Sequence, residues 1–195
     1  MQNRTRLYSC LTALYLMVAL LLGFRNISYA TPVARAIVYI SPQDYTLLTS
    51  VGVDEYQYTF TQGQAVEPVA IAALSPLFAN TLMCASGGEA DTVIWIKPSL
   101  SYNPIVTLYY GEIEARIYSG SGKAVATYKG NVERNGSTDI YPEKQIASIY
   151  QAAMQKIVQQ IQADPVMQEL IKNGLPVSEP KTPCNMVILM NQVGQ

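Results

Sequence analysis

Glu112 and Glu114 stand two residues apart in a stretch that alternates charged and apolar side chains, Glu112-Ile113-Glu114-Ala115-Arg116-Ile117. Two carboxylates at successive outward positions of one strand come close enough to share general acid and base work, provided a pocket raises the pKa of one of them. A solvated strand face produces the same spacing, with Arg116 and Lys123 or Lys129 as ion partners worth only ~0.2–1 kcal/mol. The solvated face is the reading we adopt. The chain contains no histidine, which removes Ser-His-Asp and Cys-His catalysis, the commonest general base and most catalytic zinc sites. Composition therefore argues against an enzyme, and carboxylate-only chemistry is the catalytic route it leaves open.

The other candidate groups point away from bound ions. Asp44, Asp54, Glu55, Glu89, Asp91 and Asp139 are scattered without calcium-loop spacing, so neither a metal nor another cofactor is expected. Gly120-Ser121-Gly122 is glycine-rich, but it joins two strand patterns. A phosphate cradle would instead open a helix. Tyr102, Tyr109, Tyr110, Tyr118 and Tyr128 all fall in strand patterns. Those that point outward would anchor a protein interface, and those that point inward would make a tyrosine-rich core and rim. Cys84 and Cys184 have two readings as well: a disulfide formed in an oxidising compartment, or a buried Cys84 beside a free tail thiol.

These groups need elements to hold them. Ala34 to Ile40 reads as a short buried strand stopped by Ser41-Pro42, and Glu55 to Thr61 as a half-buried one with Tyr56, Tyr58 and Phe60 on one side. Pro68 suits a helix's first turn, with Ile71, Leu74, Phe78 and Leu82 at helical spacing up to Met83 and a kink or break at Pro76. Thr92 to Lys97 is a strand closed by Pro98. Ile105 to Tyr118 and Lys123 to Val132 form a hairpin around Ser119 to Gly122, with one face buried and the other wet. From Pro142 to Ala163 the period becomes helical, with Ile146, Ile149, Ala153, Ile157 and Ile161 as one apolar stripe. Asp164 caps a second short helix from Pro165 to Lys172, which Gly174 stops. The apolar run Met186 to Met190 is either an added edge strand or a docking peptide. The fold class is α+β: a mixed or mainly antiparallel sheet with helices packed on one face, in a single domain.

The amino terminus supplies a compartment. Arg4 and Arg6 precede an apolar run from Leu11 through Phe24, and Ser28-Tyr29-Ala30 ends the segment with small residues at the two positions a signal peptidase reads. These are the three parts of a secretory signal, with cleavage at Ala30. If Leu7 to Leu11 are counted, the stretch approaches the ~20 residues of a membrane span, and an uncleaved anchor is the alternative. Cys10 lies before the apolar stretch rather than after it, which argues against lipidation. The expected organisation is thus a signal peptide at 1–30, an α+β periplasmic domain at 31–174 and a Pro-punctuated tail at 175–195. A formal net charge of −1 gives no reason to expect nucleic acid as a partner.

The stretch from Ala90 to Gly174 resembles the small envelope lipoproteins of the YajG type. It carries an apolar strand (ADTVIWIKP), an alternating strand (GEIEARIYS), a GSGK turn, a return strand (ATYKGNV) and a long helix closing on IVQQIQADPVMQELIKNG. The layout is similar also to the α/β module at the amino terminus of TolB. The resemblance implies a non-enzymatic envelope protein, but those lipoproteins start their mature chain with a lipid-bearing Cys, whereas this one would start at Thr31-Pro32. The function expected is that of an exported accessory protein that binds another envelope protein through its sheet or Tyr-rich surface. The alternatives are a small-ligand or lipid binder and a carboxylate-dependent hydrolase.

Overall fold

A computed structural model describes residues 31–53, 55, 57–84, 89–138, 141–176 and 184. The signal or anchor at 1–30 therefore lies outside the described residues, as do Asp54, Tyr56, Asp139, most of the tail and the run from Met186 to Met190. β1 (Arg35–Tyr39) opens the domain, followed by a short helix α1 (Pro42–Thr46) and an antiparallel ribbon of β2 (Leu48–Val51) and β3 (Tyr58–Thr61). Helix α2 (Gln62–Leu74) and β4 (Asn80–Met83) come next. Three long strands follow, β5 (Thr92–Asn103), β6 (Leu108–Ser119) and β7 (Ala124–Asn135), and then helices α3 (Pro142–Ala163) and α4 (Pro165–Asn173). The main sheet runs β4-β1-β5-β6-β7, with β1 parallel to both its neighbours and β5-β6-β7 antiparallel. This is a mixed α+β domain, as its alternation of strand and helix periods predicts.

One face of the sheet is apolar along every long strand because side chains alternate across a strand. Val38, Ile94, Ile96, Ile113, Ala115 and Ile117 meet Ile146, Ile149, Ala153, Ile157 and Ile161 of α3 in one continuous core. That helical stripe is the one the 3.6-residue period marks. The helix comes unusually near the sheet at Gly130, where a Cβ would collide with the carbonyl oxygen and carbonyl carbon of Ala153. Gly111 makes similar room for Ile149. Asp164 ends α3 and caps α4, its Oδ1 accepting from the backbone N–H of Val166 at 2.8 Å. Tyr128 donates to the other carboxylate oxygen at 2.6 Å, which ties this helix junction to β7.

Three local expectations change. Helix α2 begins at Gln62, six residues before Pro68, so Pro68 lies inside it. Burial of Gln62, Gly63, Val66, Ala70 and Leu74 along that helix outweighs the backbone bond a proline removes. The helix ends at Leu74, two residues before Pro76, and Asn80–Met83 forms β4, paired in parallel with Arg35 to Val38. Leu82 and Met83 are too short an apolar run to distinguish strand from helix, and pairing with β1 decides it. Finally, β5 continues through Pro98 to Asn103. Beyond Trp95 its ladder to β1 has ended, so a residue without an N–H is tolerated there as on an edge.

Gly130→Ala tests the close approach of α3. The added methyl group is expected to lower unfolding stability by ~1–3 kcal/mol through overpacking, measured by urea denaturation. The same change at Gly136, beside the side chain of Gln145 instead of backbone, should cost less.

Candidate functional site

The long antiparallel strands carry nearly all the candidate residues, and the pairing register sorts them by face. Tyr109 pairs with Tyr102, and Tyr128 pairs with Ala115, on the side covered by α3. Tyr109 and Tyr128 are accordingly buried in the core and are not surface anchors. Tyr102 packs against Tyr109 with ring centroids 4.6 Å apart and is half-buried. Tyr110 and Tyr118 lie on the opposite face, Tyr110 exposed and Tyr118 half-buried. Tyr128 moves to the core because of a β-bulge. Tyr118 pairs with Ala124 but Ile117 pairs with Ala126, so one extra residue enters β7 and inverts every side chain beyond it.

Glu112 and Glu114 share the helix-free face and form ion pairs. Lys129 Nζ lies 2.9 Å from Glu114 and 3.6 Å from Glu112, and Arg116 Nε donates to Glu114 at 2.5 Å. Lys123 is not among their partners in these ion pairs. The Lys129 ammonium, then the Arg116 guanidinium, hold the Glu114 carboxyl below the usual carboxylate range. A general acid needs the opposite shift. Asp164 is lowered as well, first by the Tyr128 hydroxyl and then by the capping N–H groups of Val166 and Met167. Gly120 and Gly122 sit in the β6–β7 turn, Gly122 with φ of 86°. Among the described residues, no group of three or more Cys, Asp or Glu is placed to hold a metal ion.

Asp91 is a buried carboxylate with a structural task. Its Oδ2 accepts from the backbone N–H of Arg35 at 2.8 Å, and its Oδ1 from that of Leu175 at 3.4 Å. It thereby links the start of β1 to the end of α4. Cys84 and Cys184 stand at disulfide distance with Cα atoms 5.6 Å apart, and Cys184 is buried against Ile37 and Ala90. The cross-link would span 100 residues, a loop for which the chain-entropy account gives ~4–5 kcal/mol.

Two surface features stand out. At the β5–β6 turn, Ile105 is 90 % and Val106 53 % exposed. Thr107 beside them holds φ of 49°, which is strained for a β-branched residue. Its carbonyl accepts from the Gly136 N–H at 3.0 Å, and the Ile105 N–H donates to Asn103 Oδ1 at 3.0 Å, so the turn is fixed in place. Exposed Tyr141 precedes α3 at the same end of the sheet, under the ammonium of Lys144 at 4.3 Å. Elsewhere, an open groove of about 450 Å³ runs between β3 and the first turns of α2 and α3. Leu48, Gln64, Glu143 and the stacked rings of Tyr58 and Phe60 line it. The hairpin strand expected from Ile105 begins at Leu108 instead, and Pro104-Ile105-Val106-Thr107 forms the turn, an unusually apolar one.

No protein-family profile matches the sequence, and no curated protein matches it. Part of the chain is similar to solved structures. A minor lipoprotein from Acinetobacter baumannii is 11 % identical over 66 % of this chain and 92 % of its own, with a TM-score of 0.39. PelC from Paraburkholderia phytofirmans, a dodecamer, is 15 % identical over 65 % of this chain and 88 % of its own, also at 0.39. A lipoprotein from Caulobacter crescentus is 12 % identical over 55 % and 82 %, at 0.34. None of the three is described as a YajG or TolB protein. Among the described residues, no helix is long and apolar enough to cross a membrane.

The lowered pKa of Glu114 sets the sign of an acid effect. Its ion pairs contribute fully above the unfolded-state pKa and are lost as pH falls through the lower folded-state value. Glu114→Gln should therefore lower the urea midpoint at pH 7. The gap to the wild type should shrink to roughly half or less by pH 3 as the wild-type carboxyl protonates. A gap independent of pH would show that packing, not charge, sets the effect.

Proposed function

We propose that this chain is an exported, non-enzymatic accessory protein of the bacterial envelope, and that it docks another protein through the end of its sheet at the β5–β6 turn. The exposed Ile105-Val106 pair carries this reading. An isoleucine 90 % in water, on a turn fixed by Asn103 and Gly136, gains free energy when a partner covers it, at roughly 25 cal/mol per Å² of apolar area. Holding the turn in a strained conformation beforehand reduces the ordering cost at contact. Exposed Tyr110 and Tyr141 near the same end are residue types enriched at interfaces. The basic start, apolar run and Ser28-Tyr29-Ala30 sequence support export.

A small-ligand site is the second reading, and the groove beside the stacked Tyr58 and Phe60 favours it. Carboxylate hydrolysis has no such support. Glu114 is held ionised by two cations, and Glu112 is shared with Lys129 on an open face.

A photo-reactive residue placed at Ile105 of the full chain, expressed in a bacterial host, is expected to give a discrete adduct with one envelope protein. The same probe at Gln168 on α4 should not. Ile105→Asp with Val106→Asp should leave the circular dichroism spectrum unchanged and weaken that association by tenfold or more, or ~1.4 kcal/mol or more. Adducts of equal yield from both positions would overturn the proposal.

A further inference from the structure

The groove beside β3 has the make-up of a slot for one more strand. All four residues of β3, Tyr58, Thr59, Phe60 and Thr61, line it. Side chains alternate across a strand, so a hollow over one face would touch only every second residue. A groove lined by four in succession follows the strand's edge. Its opposite wall is the start of α3, with Glu143, Ile146 and Ala147.

Pairing with β2 settles which backbone groups face that edge. The two strands run antiparallel, with Thr49 opposite Phe60 and Ser50 opposite Thr59. The Gln62 N–H donates to the Leu47 carbonyl at 3.0 Å, one step beyond the pair of Leu48 and Thr61 in the same register. Hydrogen-bonded and non-bonded pairs alternate along an antiparallel ribbon. Tyr58 and Phe60 therefore bond to β2 through their N–H and C=O groups, whereas Thr59 turns both groups away from it and Thr61 its N–H. Neither of these two N–H groups has a backbone partner among the described residues. The threonine hydroxyls are engaged elsewhere, with Ser50 and Gln64 at 2.8 Å each.

We infer that the groove takes an extended peptide segment of another protein, which adds to β3 as a third strand of the ribbon. Peptide carbonyls accept from the Thr59 and Thr61 N–H groups, and a peptide N–H donates to the Thr59 carbonyl. A strand added at the usual spacing of ~4.8 Å lies between β3 and α3, alongside a β3 edge about 13 Å long. The groove's volume of about 450 Å³ is ordinary for a binding site. Its walls describe the partner. Leu48, Ile146 and the stacked rings of Tyr58 and Phe60 suit apolar side chains at alternate positions of the peptide. Glu143 is the charged residue of the lining and joins none of the ion pairs among the described residues. A Lys or Arg on the peptide complements it. The site is the groove of the small-ligand reading with a peptide as its occupant, and it is independent of the β5–β6 turn.

Octapeptides displayed on phage and selected on the full chain should converge on alternating apolar residues with a Lys or Arg. A selected peptide is then synthesised with one backbone nitrogen methylated at a time. Methylation at alternate positions should weaken binding about tenfold, with little change at the positions between. Amide exchange at Thr59 and Thr61 should slow several-fold in the complex. Thr59→Pro removes an outward N–H and no bond to β2, so it should abolish binding, while Thr59→Val should retain it. If Thr59→Pro does not fold, the methylation series on the wild-type chain decides. A selection without binders would overturn the inference, as would Thr59 and Thr61 amides already protected in the free chain, their edge then being occupied by this chain or a second copy. A ligand that protects Gln64 and Ala147 but ignores backbone methylation would overturn strand addition and leave the small-ligand reading standing. Binding without protection at Gln64 or Ala147 would remove both.

Discussion

The carbonyl of Ala153 on α3 lies against Gly130 of β7 at a separation that leaves no room for a side chain. The core is built around that approach. With Gly111 yielding in the same way to Ile149, the helix sinks onto β6 and β7 and its isoleucine stripe meets the apolar face of three strands. Burial of this kind scales with the area removed from water and with the closeness of packing, so a helix standing further off would lose much of the core at once. The remaining helices arrange themselves around α3. Gln62 at the start of α2 accepts from buried Tyr150 at 3.2 Å and donates to Thr49 of the ribbon at 2.6 Å. At its other end, Asp164 joins α3 to α4 and to Tyr128.

Commitment of one sheet face to the helices leaves the other as the place where this protein differs from a plain helix-on-sheet layer. Its margin is a network of ion pairs in which Lys129 and Arg116 hold the Glu114 carboxyl below the usual carboxylate range, and its centre is a buried cluster around Trp95. Such a face offers electrostatic complementarity and little chemistry. Ile105, the most exposed large apolar side chain among the described residues, stands instead at the end of the long strands, on the turn between β5 and β6.

Much of this was legible along the chain. The β6–β7 hairpin, the stripe and extent of α3, the capping role of Asp164 and the break at Pro76 all follow from local period and local chemistry, because each involves residues within a turn or two of each other. The alternation from Ile113 to Ile117, continued backwards, also places Tyr109 inward and Tyr110 outward. Tyr128 was not legible in that way, since a single extra residue in β7 reverses its face. Nor was β4, whose identity rests on pairing with a strand 45 residues earlier. Pro68 misled for a related reason: it marks a helix start by local rule, but burial against α3 extends α2 backwards past it.

By itself, the sequence determined the class of the fold, the absence of histidine chemistry, the apolar and charged faces of the hairpin, and an amino terminus with the three parts of an export signal. These depend on composition and on near neighbours. Only the tertiary structure decided which tyrosines face water, which cations hold Glu114, that Cys84 and Cys184 meet, and that Tyr39, Val93 and Trp95 on the helix-free face are buried. Each of those depends on contacts between residues far apart in the chain, and such contacts are set by pairing register and close packing, which leave no period in the sequence to read.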